Sequence, residues 1–119
     1  MKVENPVVEK SRSFAIRIVK LHVYLVERKK EFVLSKQLLR SGTSIGANIR
    51  EGTRAQSRND FISKMNIALK ECAETDYWLD LLHETKYLST KQFEAINIDC
   101  QELLRLLASI VKTSRTRKA

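Results

Sequence analysis

Glu71 and Glu74 stand one helical turn apart, with Ile67, Trp78 and Leu81 on nearly the same face. Two carboxylates interleaved with large apolar groups in this way are expected to be partly buried. Inward-facing glutamates hold metal pairs in helical bundles, but those sites draw a Glu-x-x-His motif from each of two helices. His22 and His83 have no glutamate three residues before them, so no metal site is expected. Nucleophilic chemistry fails in the same way. Ser41, Ser44 and Cys72 with His22 and His83 offer the residue types, yet no nucleophile elbow, glycine-rich phosphate loop or triad spacing accompanies them. Cys72 and Cys100 are the only cysteines; both lie at apolar helical positions, which suits small buried thiols better than a disulfide or metal framework. The chain reads as non-enzymatic, without a cofactor. If a neighbouring helix packs antiparallel, Asn48 or Arg50 is expected to satisfy the two glutamates.

What remains is electrostatic chemistry. Lys36 and Arg40 share one helical face, Arg50 and Arg54 share another, and Arg28, Lys29 and Lys30 cluster before them. Residues 1–59 carry 13 Lys and Arg against 5 Asp and Glu, residues 60–111 carry 5 against 9, and residues 112–119 carry 4 against none. The net charge of +8 is therefore strongly polarised along the chain. Such a surface attracts phosphates and also serves subunit assembly.

Helices must position these groups. The chain has 119 residues, one proline and three glycines, enough for one domain and too few loop formers for an all-β or α/β fold. Residues 1–10 read as an extended lead-in, because Pro6 disfavours helix just before it. Phe14, Ile18, Leu21 and Leu25 then give a first helix, about Ser11 to Lys29, its core stripe. Ile16, Val19, Val23 and Val26 lie off that stripe; they are buried either within the bundle or against another subunit. A second helix begins near Ser35, whose hydroxyl is placed to cap it. It runs through Ser41-Gly42-Thr43-Ser44-Ile45-Gly46 to about Gly52 or Ala55, with Leu38, Gly42, Ile45 and Ile49 on one face. Gly42 and Gly46 cost about 1 kcal/mol each against alanine, a loss that close approach of another helix must offset. Phe61, Met65, Ala68, Cys72, Thr75, Leu79 and Leu82 step by four and three through a third helix, about Arg58 to Lys86, with Ser57 and Asp60 at its start. Ser89 and Gln92 form a capping box for the fourth, whose stripe is Phe93, Ile96, Cys100, Leu103, Leu107 and Ile110. The expected fold is an all-α, up-down-up-down antiparallel four-helix bundle over residues 11–111, followed by a basic, frayed tail at 112–119. No stretch approaches the roughly 20 apolar residues of a membrane span, and the charged N-terminus does not resemble a signal peptide. A cytoplasmic protein without membrane contact is expected.

The strings SGTSIGANIREG and DFISKMNIALKECAETDYWLDLL resemble the bacterial four-helix bundle proteins encoded by intervening sequences of 23S ribosomal RNA genes. The most specific pieces are Ser44-Ile45, Asn48-Ile49, Glu51-Gly52, Asp60-Phe61, Ala68-Leu69-Lys70-Glu71 and Glu74 with Tyr77-Trp78-Leu79. Relatives include the accessory protein of diversity-generating retroelements, a basic homopentamer that binds nucleic acid and a reverse transcriptase. The resemblance implies the same bundle and a ring of five subunits. Gly42, Gly46, Asn48, Glu51, Glu71, Glu74 and Trp78 are then packing or assembly positions. Arg28, Lys29, Lys30, Lys36, Arg40, Arg50 and Arg54 are the candidate contacts to RNA or DNA, through phosphates and without base readout. The function expected is a nucleic-acid-binding accessory or scaffold. The alternative is a protein-protein adaptor, for example for a polymerase, with incidental affinity for nucleic acid.

Overall fold

Phe61, Met65, Ala68, Cys72, Thr75, Leu79 and Leu82 are all buried and form the inner face of one helix, Arg58–Glu84. The computed structural model describes residues 5–116, and in it this is the third of four helices: α1 Asn5–Glu27, α2 Leu34–Thr53, α3 Arg58–Glu84 and α4 Thr90–Thr116. Among the described residues each helix packs against its two neighbours, α1 on α2 and α4, α3 on α2 and α4, with no diagonal contact. The result is a rod of 51 × 20 × 20 Å around one axial core. Ion pairs fix the helix directions. Lys10 meets Glu102 at 3.1 Å and Arg17 meets Asp99, while Lys64 meets Glu51 at 2.7 Å and Arg40 meets Glu71 at 3.3 Å. In both sets residue number rises on one helix as it falls on the other, so these neighbours are antiparallel.

The first helix begins earlier than its proline suggests. Residues 5–10, expected to be extended, belong to α1; residues 1–4 of that lead-in lie outside the described part. Proline is compatible with the first helical turn, where its missing N–H would have no partner. Val7 and Ser11 also continue the Phe14 and Ile18 stripe backwards by one heptad, and both are buried. The Ser11 hydroxyl donates to Val8 O at 3.0 Å, which lets it sit in the core. At the other end of the chain α4 continues to Thr116, so residues 112–116 are helix rather than frayed tail. Buried Val111 anchors this last turn, and Arg58 donates to Ser114 O at 3.3 Å from the start of α3. Residues 117–119 lie outside the described part.

Ser35 does not cap α2. It lies inside the helix, buried, and its hydroxyl donates to Glu31 O at 2.7 Å. The cap is Glu31, whose carboxylate accepts the backbone N–H groups of Val33 at 3.3 Å, Leu34 at 3.0 Å and Ser35 at 2.7 Å. Three donors of the first turn, which have no intrahelical partner, are thus satisfied by one side chain at the positive end of the helix dipole. Later caps follow expectation more closely. Ser57 Oγ accepts from Asp60 N at 3.1 Å, and Ser89 and Gln92 exchange side-chain to backbone bonds at 2.9 and 3.1 Å.

α2 presents Leu38, Gly42, Ile45, Ile49 and Gly52 inward, all buried. A Cβ on Gly42 would lie 2.8 Å from Ile18 Cγ2, and one on Gly46 would meet Ser11 O at 3.4 Å. Both glycines therefore face α1, Gly42 making room for the Ile18 side chain and Gly46 for the α1 backbone at Ser11. On α1 the second apolar set splits from the core: Ile16, Val19 and Val23 are 41%, 44% and 44% exposed. Burial within the single bundle is thereby excluded for these three.

The turns after α1 and α3 contain Lys30 at φ 55° and Lys86 at φ 70°. A side chain in this left-handed region costs roughly 1–2 kcal/mol, which glycine avoids while losing some of that gain to chain entropy. Lys30→Gly and Lys86→Gly are each expected to raise stability by about 0.5–1 kcal/mol in urea unfolding. A loss of stability in both would show that the lysine side chains hold these turns.

Candidate nucleic-acid interface

The paired glutamates have a partner, but not the one expected. Arg40 reaches across from α2, meeting Glu71 at 3.3 Å through Nη1 and Glu74 through Nη2. Trp78 Nε1 donates to Glu74 Oε2 at 2.9 Å. Asn48 instead donates to Ser44 O of its own helix at 2.8 Å, and Arg50 is exposed. The register explains the difference. With Glu51 opposite Lys64 and Arg40 opposite Glu71, Asn48 sits roughly two turns from Glu74. Arg40, counted among the phosphate-binding candidates from sequence, thus has its charge occupied by two carboxylates.

The residues considered as nucleophiles are held locally. Ser41 is buried and accepts from Thr75 Oγ1 at 2.9 Å, Ser44 donates to Arg40 O at 2.6 Å, and His22 Nδ1 lies 3.1 Å from Ser35 O. His83 stacks on Phe93 with ring centroids 4.4 Å apart. Cys72 and Cys100 face each other across α3 and α4, each thiol donating to the other's carbonyl oxygen at 3.5 and 3.7 Å. Contact with Cys72, reinforced by burial, pushes the Cys100 thiol far above the usual range. Burial and this shift both favour the protonated thiol. Among the described residues no three His, Cys, Asp or Glu side chains converge as metal ligands would.

The other candidate cations fall into two groups at opposite ends of the rod. Arg28, Lys29 and Lys30 lie in the turn between α1 and α2, with Lys36 on the first turn of α2. Arg50 and Arg54 lie at the other end of that 20-residue helix, on the order of 25 Å away. Antiparallel packing adds cations to this second end that the reading by helical face overlooked. Arg12 near the start of α1, Arg58 at the start of α3, and Lys112 and Arg115 at the end of α4 all lie there, and all are exposed. Arg12 and Arg50 line one groove between α1 and α2. Among the described residues none of these six cations makes an ion pair. The signal was in the sequence, in the positions of basic residues relative to helix ends rather than to faces.

Residues 3–109 match the model of the 23S rRNA-intervening sequence protein family. The chain belongs to this family. A crystal structure of a protein of unknown function from the S23 ribosomal protein family of Bacteroides thetaiotaomicron is similar to it, with 61% identity and a TM-score of 0.88, covering 89% of this chain and 98% of that one. No curated protein matches significantly. In this member of the 23S rRNA-intervening sequence family the string SGTSIGANIREG is a helix throughout. Its glycines serve packing, Gly42 and Gly46 against α1 and Gly52 against Met65. Glu51, paired to Lys64, and Glu71 and Glu74, paired to Arg40, tie α2 to α3, and Trp78 holds Glu74 from within α3. No helix among the described residues is long and apolar enough to cross a membrane.

Proposed function

We propose that this protein is a non-enzymatic, homo-oligomeric bundle that binds RNA or DNA through phosphate contacts and serves as an accessory or scaffold. The observation that carries this reading is the basic end of the rod, where Arg12, Arg50, Arg54, Arg58, Lys112 and Arg115 are exposed without ion-pair partners among the described residues. Repeated in a ring of five, as the likeness to the retroelement accessory proteins suggests, six such cations per subunit engage many phosphates together, so modest contacts add into avid binding. Assembly itself is supported by the exposed Ile16, Val19 and Val23 stripe, with Phe32 and Val33 exposed in the adjoining turn. An apolar face of this extent on a small soluble rod points to a covering partner. The same stripe favours the second reading, an adaptor whose partner is another protein.

Binding to oligonucleotides of unrelated sequence separates the two. Affinity is expected to be indifferent to sequence and to fall steeply between about 50 and 200 mM salt, because each neutralised phosphate releases counterions. Arg50→Gln with Arg54→Gln is expected to flatten that dependence in a protein whose mass by light scattering remains that of an oligomer. Unchanged affinity and slope would clear these arginines of the role. Undetectable binding by the unaltered protein at low salt would leave the adaptor reading, and a monomeric mass at micromolar concentration would remove the ring.

A further inference from the structure

We infer that the groove between α1 and α2 at the basic end seats the phosphodiester backbone of a nucleic-acid strand, with Arg12 and Arg50 gripping its phosphates from either side. The inference rests on the nucleic-acid reading above and names the place and residues of contact. The groove has a volume of about 380 Å³ and a floor that includes Ala15, Gly46 and Ala47. None of these three residues carries more than a methyl side chain, which leaves space for a ligand in a groove lined by both arginines.

Charge balance sets this seam apart from the two beside it, α1 with α4 and α2 with α3. Across α1 and α4, Lys10 and Arg17 are answered by Glu102 and Asp99. Across α2 and α3, Arg40 and Lys64 are answered by Glu71, Glu74 and Glu51. The α1 and α2 seam has two arginines and, among the described residues, no carboxylate paired to either. Glu51, the nearest acid in α2, is held by Lys64. Glu31 is held by backbone amides at the far end of the helix. The chemistry that answers two guanidinium groups across an open groove is a row of anionic oxygens, for which planar, permanently charged guanidinium is suited by its paired donors.

The groove's hydroxyls do not add directed donors. Ser11 donates to Val8 O at 3.0 Å and Thr43 to Leu39 O at 2.7 Å. Recognition therefore lies in the two charges and in the shape of the floor, which fits a sequence-independent backbone contact rather than base readout. The exposed α1 stripe continues from this groove, since Ile16 and Val19 each follow a groove residue, Arg12 and Ala15, by one turn. A strand held here would lie at the edge of an assembly interface, where neighbouring subunits could extend the track.

The test compares fluorescence-anisotropy titrations of a single-stranded oligouridylate and thermal stabilisation by inorganic pyrophosphate. Arg12→Gln and Arg50→Gln are each expected to weaken oligonucleotide binding about fivefold to tenfold and to reduce the salt slope by about 0.7. Ala47→Leu fills the floor at unchanged charge and is expected to weaken binding several-fold. Lys29→Gln with Lys30→Gln removes the same total charge as the two arginine changes and is expected to matter less than either. Pyrophosphate is expected to raise the melting temperature of the unaltered protein but not of the arginine variants. Circular dichroism establishes that each variant is folded. Wild-type affinity in Ala47→Leu, or an equal loss in the lysine variant, overturns the groove in favour of diffuse charge. Absence of any pyrophosphate effect, together with a fall in assembly mass for the arginine variants, also overturns it, because the arginines then meet carboxylates of a second copy. Stabilisation by pyrophosphate through Arg12 and Arg50 without oligonucleotide binding overturns the nucleic-acid reading alone and assigns the groove to another phosphate-bearing ligand.

Discussion

Gly42→Leu is expected to destabilise the bundle by about 3 kcal/mol or more, the upper range for overpacking a close helix contact, while Ala108→Leu on the exposed face of α4 is nearly neutral. Even the first added carbon is in conflict, since a Cβ on Gly42 would stand 2.8 and 2.9 Å from Ile18 Cγ2 and Cγ1. Ile18 cannot yield. It is fully buried, and its β-branch holds one rotamer in a helix. Helix separation would have to increase along the whole α1 and α2 seam, with loss of packing at Leu38 and Ile45. At fixed protein concentration the melting temperature is expected to fall by roughly 10 °C or more. A double-mutant cycle identifies the cause. Ile18→Ala alone costs about 2–5 kcal/mol, but Gly42→Ala with Ile18→Ala is expected to cost less than the two single changes together, because the added methyl enters the space that the isoleucine vacates. Strict additivity would place the cost of Gly42→Ala elsewhere.

The second large effect is expected at Glu31. Glu31 is 8% exposed, and its carboxylate accepts three backbone amides, including that of Ser35, which is wholly buried. Glu31→Ala removes a cap and leaves a buried donor without a partner, for a total of about 2–3 kcal/mol. Glu31→Gln keeps one acceptor oxygen and is expected to lose about half as much. A pH dependence accompanies this. Burial raises the Glu31 carboxyl, but the amides of Leu34, Ser35 and Val33 together outweigh it, so its folded value lies below the ordinary 4.5. A depressed carboxyl contributes stability that is fully present above its unfolded value and is lost as pH falls through its folded value. Urea unfolding near neutrality and in acid is therefore expected to show a steeper acid loss for the unaltered protein than for Glu31→Ala. Parallel acid limbs in the two proteins would mean that Glu31 does not carry this charge-assisted cap.

The buried faces were legible because helical periodicity is a local property of the chain. The seven core positions of α3 and the Leu38, Gly42, Ile45 and Ile49 face of α2 follow from steps of three and four alone. The start of α1 was less legible, since Pro6 carries a local signal that is compatible both with an extended segment and with a first helical turn. Burial of Val7 against the other helices decides between them. The cap of α2 was hidden for a related reason. Glu31 reaches the amides of Val33, Leu34 and Ser35 only because Lys30 takes a left-handed conformation and turns the chain back on itself, and lysine does not advertise such a turn as glycine would.

Charge pairing was least legible. Composition and residue order determined that the surface is polarised and that the first half is basic. They could not say which cations are spent. That depends on the register between antiparallel helices, which places Arg40 over Glu71 and Glu74 while leaving Arg50 beside Arg12. Register is set by the interlocking of core side chains over the full length of the rod, so a shift of one turn would exchange paired for unpaired charges without altering any periodicity. The sequence by itself therefore determined four amphipathic helices, their inner faces and the family to which they belong. Only the tertiary structure decided which outer-face cations are neutralised and which converge at one end, because that outcome rests on distances between residues far apart in the chain.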